Sequence, residues 1–205
     1  MRKTVLGFFV ASMAIFSSIA FAQDEAPQQT LFTNVNVFDG KSDSLQMGVD
    51  VLIEGNVIMS ISEDSIDAPA ATVIAGDGRT LMPGLIDNHV HLMLNGASLL
   101  DMEANQTWED TAIGGVAMAR MYLMEGFTTV RDMGGANGGL TRAISAGLIV
   151  GPRVYPSGAF IGGRGGHADF ALYSSQPGAP TKMSLLNMAV ETNGADEVLA
   201  AARNN

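Results

Sequence analysis

The sequence predicts an α/β chain in two parts, a small β-sandwich-type module over residues 23–83 followed by parallel βα units over 84–205. Three observations carry this. Alternating apolar residues punctuated by glycine turns dominate from Leu31 to Leu81, a Pro83-Gly84 pair then breaks the pattern, and beyond it strand-like runs alternate with helical stretches.

The first residues are read as a leader rather than as fold. Arg2 and Lys3 form a basic start, an uncharged apolar run follows, and Ala20-Phe21-Ala22 supplies the small-x-small cleavage pattern, which predicts a signal peptide over 1–22 and a periplasmic or secreted product. An uncleaved membrane anchor is the competing reading, because the uncharged stretch from Thr4 to Ala22 approaches the length of a span. After cleavage no stable membrane insertion is expected. Cysteine is absent throughout, which excludes both a lipid-anchored form and a disulfide framework.

In the β module, Phe32 to Phe38 closes at Asp39-Gly40, Val49, Val51 and Ile53 alternate, Glu54-Gly55-Asn56 turns, and Val57, Met59 and Ile61 alternate again. That pattern predicts antiparallel hairpins. A further short pair, Thr72 to Ala75 and Arg79 to Leu81, flanks Gly76-Asp77-Gly78. Past Pro83, the strands are Leu85 to Leu92, Thr128 to Arg131 and Arg153 to Ser157. Helices are expected over Thr107 to Glu125, Gly139 to Ala146 and Asp196 to Arg203. In the long helix Met118, Met121 and Met124 recur at near-helical spacing, which predicts core packing.

The charge balance bounds the partners. Of 11 basic residues two lie in the leader, so the remainder sets nine against 21 acidic residues, a net charge of −12. Such a surface disfavours nucleic acid. Nucleophilic serine or cysteine chemistry has no support, since no Gly-x-Ser-x-Gly occurs, and the glycines after Arg131-Asp132 lack the spacing of a phosphate loop or dinucleotide fingerprint. Arg131 is expected in a structural ion pair.

His89 and His91, two of only three histidines, carry the chemistry. Residues two apart in a strand share a face, so Asp87, His89 and His91 project together, and neutral imidazoles converging on one point suit a divalent metal, zinc first among them. Asp87 either orients one histidine by accepting its free N–H or makes a turn contact. His167 ends the run Gly162-Gly163-Arg164-Gly165-Gly166-His167. Glycines allow close backbone approach to a ligand, and Arg164 and His167 can hold a substrate carboxylate or carbonyl. A flexible glycine-rich loop with a solvated arginine is the plainer alternative.

The segments TLMPGLIDNHVHL, GFTTVRDMGG, GPRVYPSG and GGRGGHAD, in this order, resemble the amidohydrolase superfamily in its imidazolonepropionase-like and prolidase-like branch, from about Leu31 to the last residue. The resemblance implies a metal-dependent hydrolase of carbon–nitrogen bonds on a (β/α)8 barrel, acting on a small amide, cyclic amide or Xaa-Pro-type dipeptide with one or two metal ions. It implies further that the His-x-His of the first strand binds metal, with a bridging carboxylated lysine, two more histidines and a catalytic aspartate on later strands. Only His89 and His91 of that set stand here, and Lys182, in a Pro180-Thr181-Lys182 run, reads as a surface loop residue. A barrel of this type takes about 250 residues, whereas 122 follow Pro83. The expectation is therefore a truncated barrel of about three βα units, with the catalytic aspartate outside this chain. The opposing expectation is an inactive remnant, or a half barrel completed by a partner or by a homo-oligomer.

Overall fold

The computed structural model describes residues 27–176 and 178–205, which fall into two compact units, up to Leu81 and from Met82. The expected leader lies outside the described residues. No helix among the described residues is long and apolar enough to cross a membrane.

The first unit is a mixed sheet of β1 (Gln29–Val37), β2 (Gln46–Glu54), β3 (Val57–Ser62), β4 (Thr72–Ala75) and β5 (Thr80–Leu81), ordered β3-β2-β1-β4 with β5 also on β1. The antiparallel pairs β1–β2 and β2–β3 follow the alternation in sequence. The expected pairing of the two last strands does not form. Both lie parallel to β1, Leu31 opposite Val73 and Val37 opposite Leu81. The unit is accordingly one sheet rather than a sandwich, because these short strands extend the free side of β1 instead of building a second layer. Val35, Val49 and Val51 form its core with Phe32, Val37, Ile53 and Leu81 against them. Val57, Met59 and Ile61 alternate as expected but stay exposed. Where β4 ends, a Cβ on Gly76 would sit 2.2 Å from Val35 Cγ1 and 2.8 Å from two carbonyl oxygens of β1, so only glycine admits this close approach.

The second unit begins with β6 (Leu85–Val90), a 3-10 turn (Leu92–Leu94), α1 (Leu99–Ala104), α2 (Trp108–Met124) and β7 (Phe127–Asp132). It continues with α3 (Gly138–Ser145), β8 (Arg153–Pro156), β9 (Phe160–Gly163), α4 (Lys182–Leu185), β10 (Ala189–Thr192) and α5 (Ala195–Asn204). Strands β6, β7 and β8 form one parallel sheet, and β9 pairs with β10 in a second parallel ladder. The longest helix starts where its sequence dictates. Thr107 accepts the Asp110 N–H while the Asp110 carboxylate accepts the Thr107 N–H, a reciprocal capping box.

Two apolar clusters fill this unit. Val90, Leu92, Ala119, Val130, Leu140 and Val154 pack between the first sheet and helices α2 and α3. Met102, Phe170, Met183, Met188 and Ala189 form the other, and Met93 packs against both. Of the three methionines expected in the core, only Met118 packs there. Met121 is 41% and Met124 70% exposed, because their positions on α2 turn away from the sheet.

Candidate functional site

The site grows from the C-terminal ends of β6 and β7. Strand β6 stops at Val90, so His91 lies at the entry to the 3-10 turn rather than inside a strand as the sequence suggested. The change of backbone direction does not separate the two imidazoles. His89 Nε2 and His91 Nε2 lie 3.2 Å apart, with the rings edge-on at 78°. Two nitrogens each about 2.0–2.1 Å from a tetrahedral zinc are separated by about 3.3 Å, so the pair has the bite of a bidentate ligand. On the far side of its ring, His91 Nδ1 lies 3.2 Å from the carbonyl oxygen of Gly134. A carbonyl only accepts, so Nδ1 carries the proton and Nε2 presents its lone pair toward His89.

Asp87 does not orient a histidine ring. Its Oδ1 accepts the backbone N–H of His89 at 2.9 Å, the turn contact that was the alternative, because its short side chain folds back onto its own strand. The residue that shapes the site is Asp132 at the end of β7, paired in register with Val90. It is completely buried. Oδ2 accepts the Leu92 N–H at 2.7 Å, and Oδ1 accepts those of Gly134 and Ala136 at 3.0 and 3.1 Å. Burial pushes its carboxyl above the usual range, against the pull of those three N–H groups.

Phe160, the first residue of β9, stacks on His91 with ring centroids 5.1 Å apart and a tilt of 32°, and Phe170 lies beyond it at 6.0 Å. Gly134 has φ +155, and a Cβ there would enter the Phe160 ring at 2.6 Å. A glycine is required at this point for both reasons.

The two residues expected to hold substrate fall in different clefts. His167 is exposed and lines one of about 240 Å³ with Leu99, Leu100, Asp169, Phe170 and Ala171. Phe170 links that cleft, through Phe160, to His91. Arg164 lines another, of about 260 Å³, where its Nε pairs with Glu191 at 3.2 Å while the side chain stays more than half exposed. Asp169 accepts the Gly165 and Ala171 N–H groups and braces the glycine run. These bonds hold its carboxyl below the usual value.

Two further expectations are corrected. Lys182 opens α4 and is half-buried rather than a surface loop residue. Its ammonium donates to the carbonyls of Met102 and Gln106, since a buried stem with a charged head finds its partners at a helix end. Arg131 is exposed and joins no ion pair among the described residues, because the alternation along β7 puts it on the face opposite Asp132. Among the described residues no group of three His, Asp or Glu side chains converges on one point.

A parallel α/β unit with paired imidazoles at the mouth of its first strand has relatives among solved structures. A prolidase complexed with N-methylphosphonate-L-proline is 33% identical, with a TM-score of 0.73 over 86% of this chain and 43% of its own. A Xaa-Pro dipeptidase is 30% identical with a TM-score of 0.65 over 86% of this chain and 44% of its own. The chain belongs to the Amidohydrolase family, whose profile matches residues 80–191, more than half of its length. Among curated proteins it is 33% identical over 118 residues to the 5-methylthioadenosine/S-adenosylhomocysteine deaminase of Caldanaerobacter subterraneus subsp. tengcongensis, which covers half of this chain and 27% of that protein. It is 38% identical over 96 residues to the ochratoxinase of Aspergillus niger, 45% of this chain and 20% of that one. The chain thus spans less than half the length of these relatives.

Proposed function

We propose that this chain forms the opening part of an exported, metal-dependent hydrolase of carbon–nitrogen bonds, in which His89 and His91 are two of the metal donors. The observation that carries the reading is the 3.2 Å separation of their Nε2 atoms, with His91 Nδ1 anchored on the Gly134 carbonyl. The donor set fits zinc, a neutral-imidazole pair with the bite of a tetrahedral site and the far nitrogen held by a carbonyl. The chemistry a divalent ion supplies there is polarisation of a carbonyl and activation of water near neutral pH.

The chain's own residues supply the frame. The Gly134 carbonyl keeps His91 in the tautomer that leaves Nε2 free, Phe160 covers one face of its ring against water, and the His167 cleft continues from that aromatic wall. Family membership and likeness to a prolidase and a Xaa-Pro dipeptidase support a small amide, cyclic amide or Xaa-Pro-type dipeptide as substrate, on a (β/α)8 barrel of which this chain is the first portion. His167 and Arg164 are the candidate substrate contacts, Arg164 through the guanidinium nitrogens beyond the Nε that Glu191 engages. The leader pattern of the first 22 residues supports a periplasmic or secreted location.

A second reading rests on the donor count. With two converging donors among the described residues, this polypeptide binds metal without turnover until a partner or a second copy completes the site. Zinc titration and hydrolysis of Xaa-Pro and N-acyl amino acid substrates by the full chain, beside the His89→Ala/His91→Ala double variant, separate the possibilities. Zinc-dependent turnover lost in the variant supports the enzyme, and zinc binding without turnover supports the second reading. Zinc binding untouched by the double substitution removes the metal assignment.

A further inference from the structure

We infer that Asp132 is the positioning residue for His91: its buried carboxylate folds the turn after β7 so that the Gly134 carbonyl takes the His91 Nδ1 proton and Nε2 is left facing His89. The inference uses the reading of the histidine pair as metal donors only for what the freed nitrogen does.

The placement follows from the fold. Asp132 ends the strand beside β6 and stands opposite Val90, one residue before His91. From there its two oxygens reach to both sides of the His91–Gly134 contact. One takes the N–H of Leu92, the residue after His91. The other takes the N–H groups of Gly134 and Ala136, on either side of the peptide whose carbonyl receives the imidazole proton. A single side chain thus sets the backbone at both ends of one hydrogen bond. Past the ends of β6 at Val90 and β7 at Asp132, the Met133 N–H donates to the Val90 carbonyl and the Gly135 N–H to the Gly158 carbonyl, each at 2.9 Å, and the Asp132 side chain ties the two ends of the turn together.

Residue chemistry narrows the choice to a carboxylate. Three N–H donors converge, and an ionised carboxylate is the acceptor-only group that matches them all. Asparagine would turn an NH2 toward one or two of those donors and leave buried N–H groups unpaired. Phe160 completes the device from the other side, filling the space a Cβ on Gly134 would need while stacking on the His91 ring. The imidazole is therefore fixed by a carbonyl at one nitrogen, through the turn that Asp132 braces, and by an aromatic face on its side, which the β9–β10 ladder holds.

The test reads the tautomer directly, in the full chain without metal, by long-range proton–nitrogen correlation of ring-labelled histidines at a pH where both rings are neutral. His91 is expected in the Nδ1–H form in the parent chain. In Asp132→Asn the Nδ1–H population falls toward the Nε2–H form preferred by free imidazole, while the far-ultraviolet dichroism is kept. Zinc affinity, followed by the shifts of the two rings, falls about 10- to 100-fold, the usual cost of losing an outer hydrogen-bond partner. A purely structural Asp132 would lower stability and leave the tautomer unchanged, and that result overturns the inference, as does an Nε2–H tautomer of His91 in the parent. Zinc that shifts neither ring in the parent, with the tautomer behaving as stated, removes the metal reading and leaves the positioning role standing. If Asp132→Asn does not fold, Asp132→Ser carries the same test, since the smaller side chain fits the space and its single hydroxyl oxygen cannot accept all three N–H groups. An unmoved tautomer there likewise overturns the inference.

Discussion

Glu103 and Lys182 cap each other's helices. The Glu103 carboxylate accepts the N–H groups of Lys182 at 2.7 Å and Met183 at 3.2 Å at the start of α4, and the Lys182 ammonium donates to Met102 and Gln106 carbonyls at the end of α1. Two helices too short to stand alone are thereby joined end to end. Replacing Glu103 by alanine is expected to cost about 1–2 kcal/mol, as loss of a cap does. Lys182→Met should cost about 1 kcal/mol. Because both act on one junction, the double variant should lose less than the sum. Urea melts of the four chains decide this, and strict additivity would show that the two caps are independent.

Zinc should stabilise the chain through the histidine pair. At a free zinc concentration about 100 times the dissociation constant, linkage predicts about 2.7 kcal/mol of added stability, and none for His89→Ala/His91→Ala. Without metal the two positions should differ. His89 is exposed, so His89→Ala should lie within about 0.5 kcal/mol of the parent. His91→Ala loses the Gly134 contact and the Phe160 stack and should cost about 1 kcal/mol. Thermal melts with zinc and with a chelator supply all four comparisons.

The loop around His167 should loosen in acid. The Asp169 carboxyl is held below its ordinary 3.8, first by the Gly165 N–H, then by that of Ala171. A depressed folded value means that its stabilisation is present above 3.8 and is lost as the pH falls through the lower, folded value. The Gly165 and Ala171 amide resonances should therefore titrate together with a midpoint below 3.8, and in Asp169→Asn they should be flat. A midpoint above 3.8 contradicts the bonding described.

Two methionines should answer oppositely to truncation. Met102 is fully buried against Phe170, Met183 and Met188, so Met102→Ala is expected to cost about 2–5 kcal/mol. Met124 is 70% exposed, and Met124→Ala should fall within about 0.5 kcal/mol of the parent. Denaturation midpoints at constant slope measure both.

These contrasts show where the sequence was readable. The helix from Trp108 to Met124 was legible to within a residue at each end, while its reciprocal Thr107–Asp110 cap came only with the structure. The strands Phe127–Asp132 and Arg153–Pro156 were expected over Thr128 to Arg131 and Arg153 to Ser157, within a residue at each end. Phe160–Gly163 and Ala189–Thr192 were not recognised, since the first ends in two glycines that read as loop and the second pairs with that strand alone. The histidine pair was legible from its spacing and its surroundings. The role of Asp132 was not, because it acts through three backbone N–H groups brought in by the fold, and a backbone amide has no letter in a sequence. Met121 and Met124 misled for the converse reason: spacing places residues along one side of a helix but does not say which neighbour will cover it.

The register between β6 and β7 is irregular between Asp87 and Val90, so the peptide units carrying His89 sit where the ladder is interrupted, while Val130, opposite Asp87, is fully enclosed. The two strands therefore keep different clocks. Deuterium should replace the amide protons around Asn88 and His89 well before that of Val130, so that the imidazole pair can adjust its bite on a timescale at which the sheet beneath it stays shut.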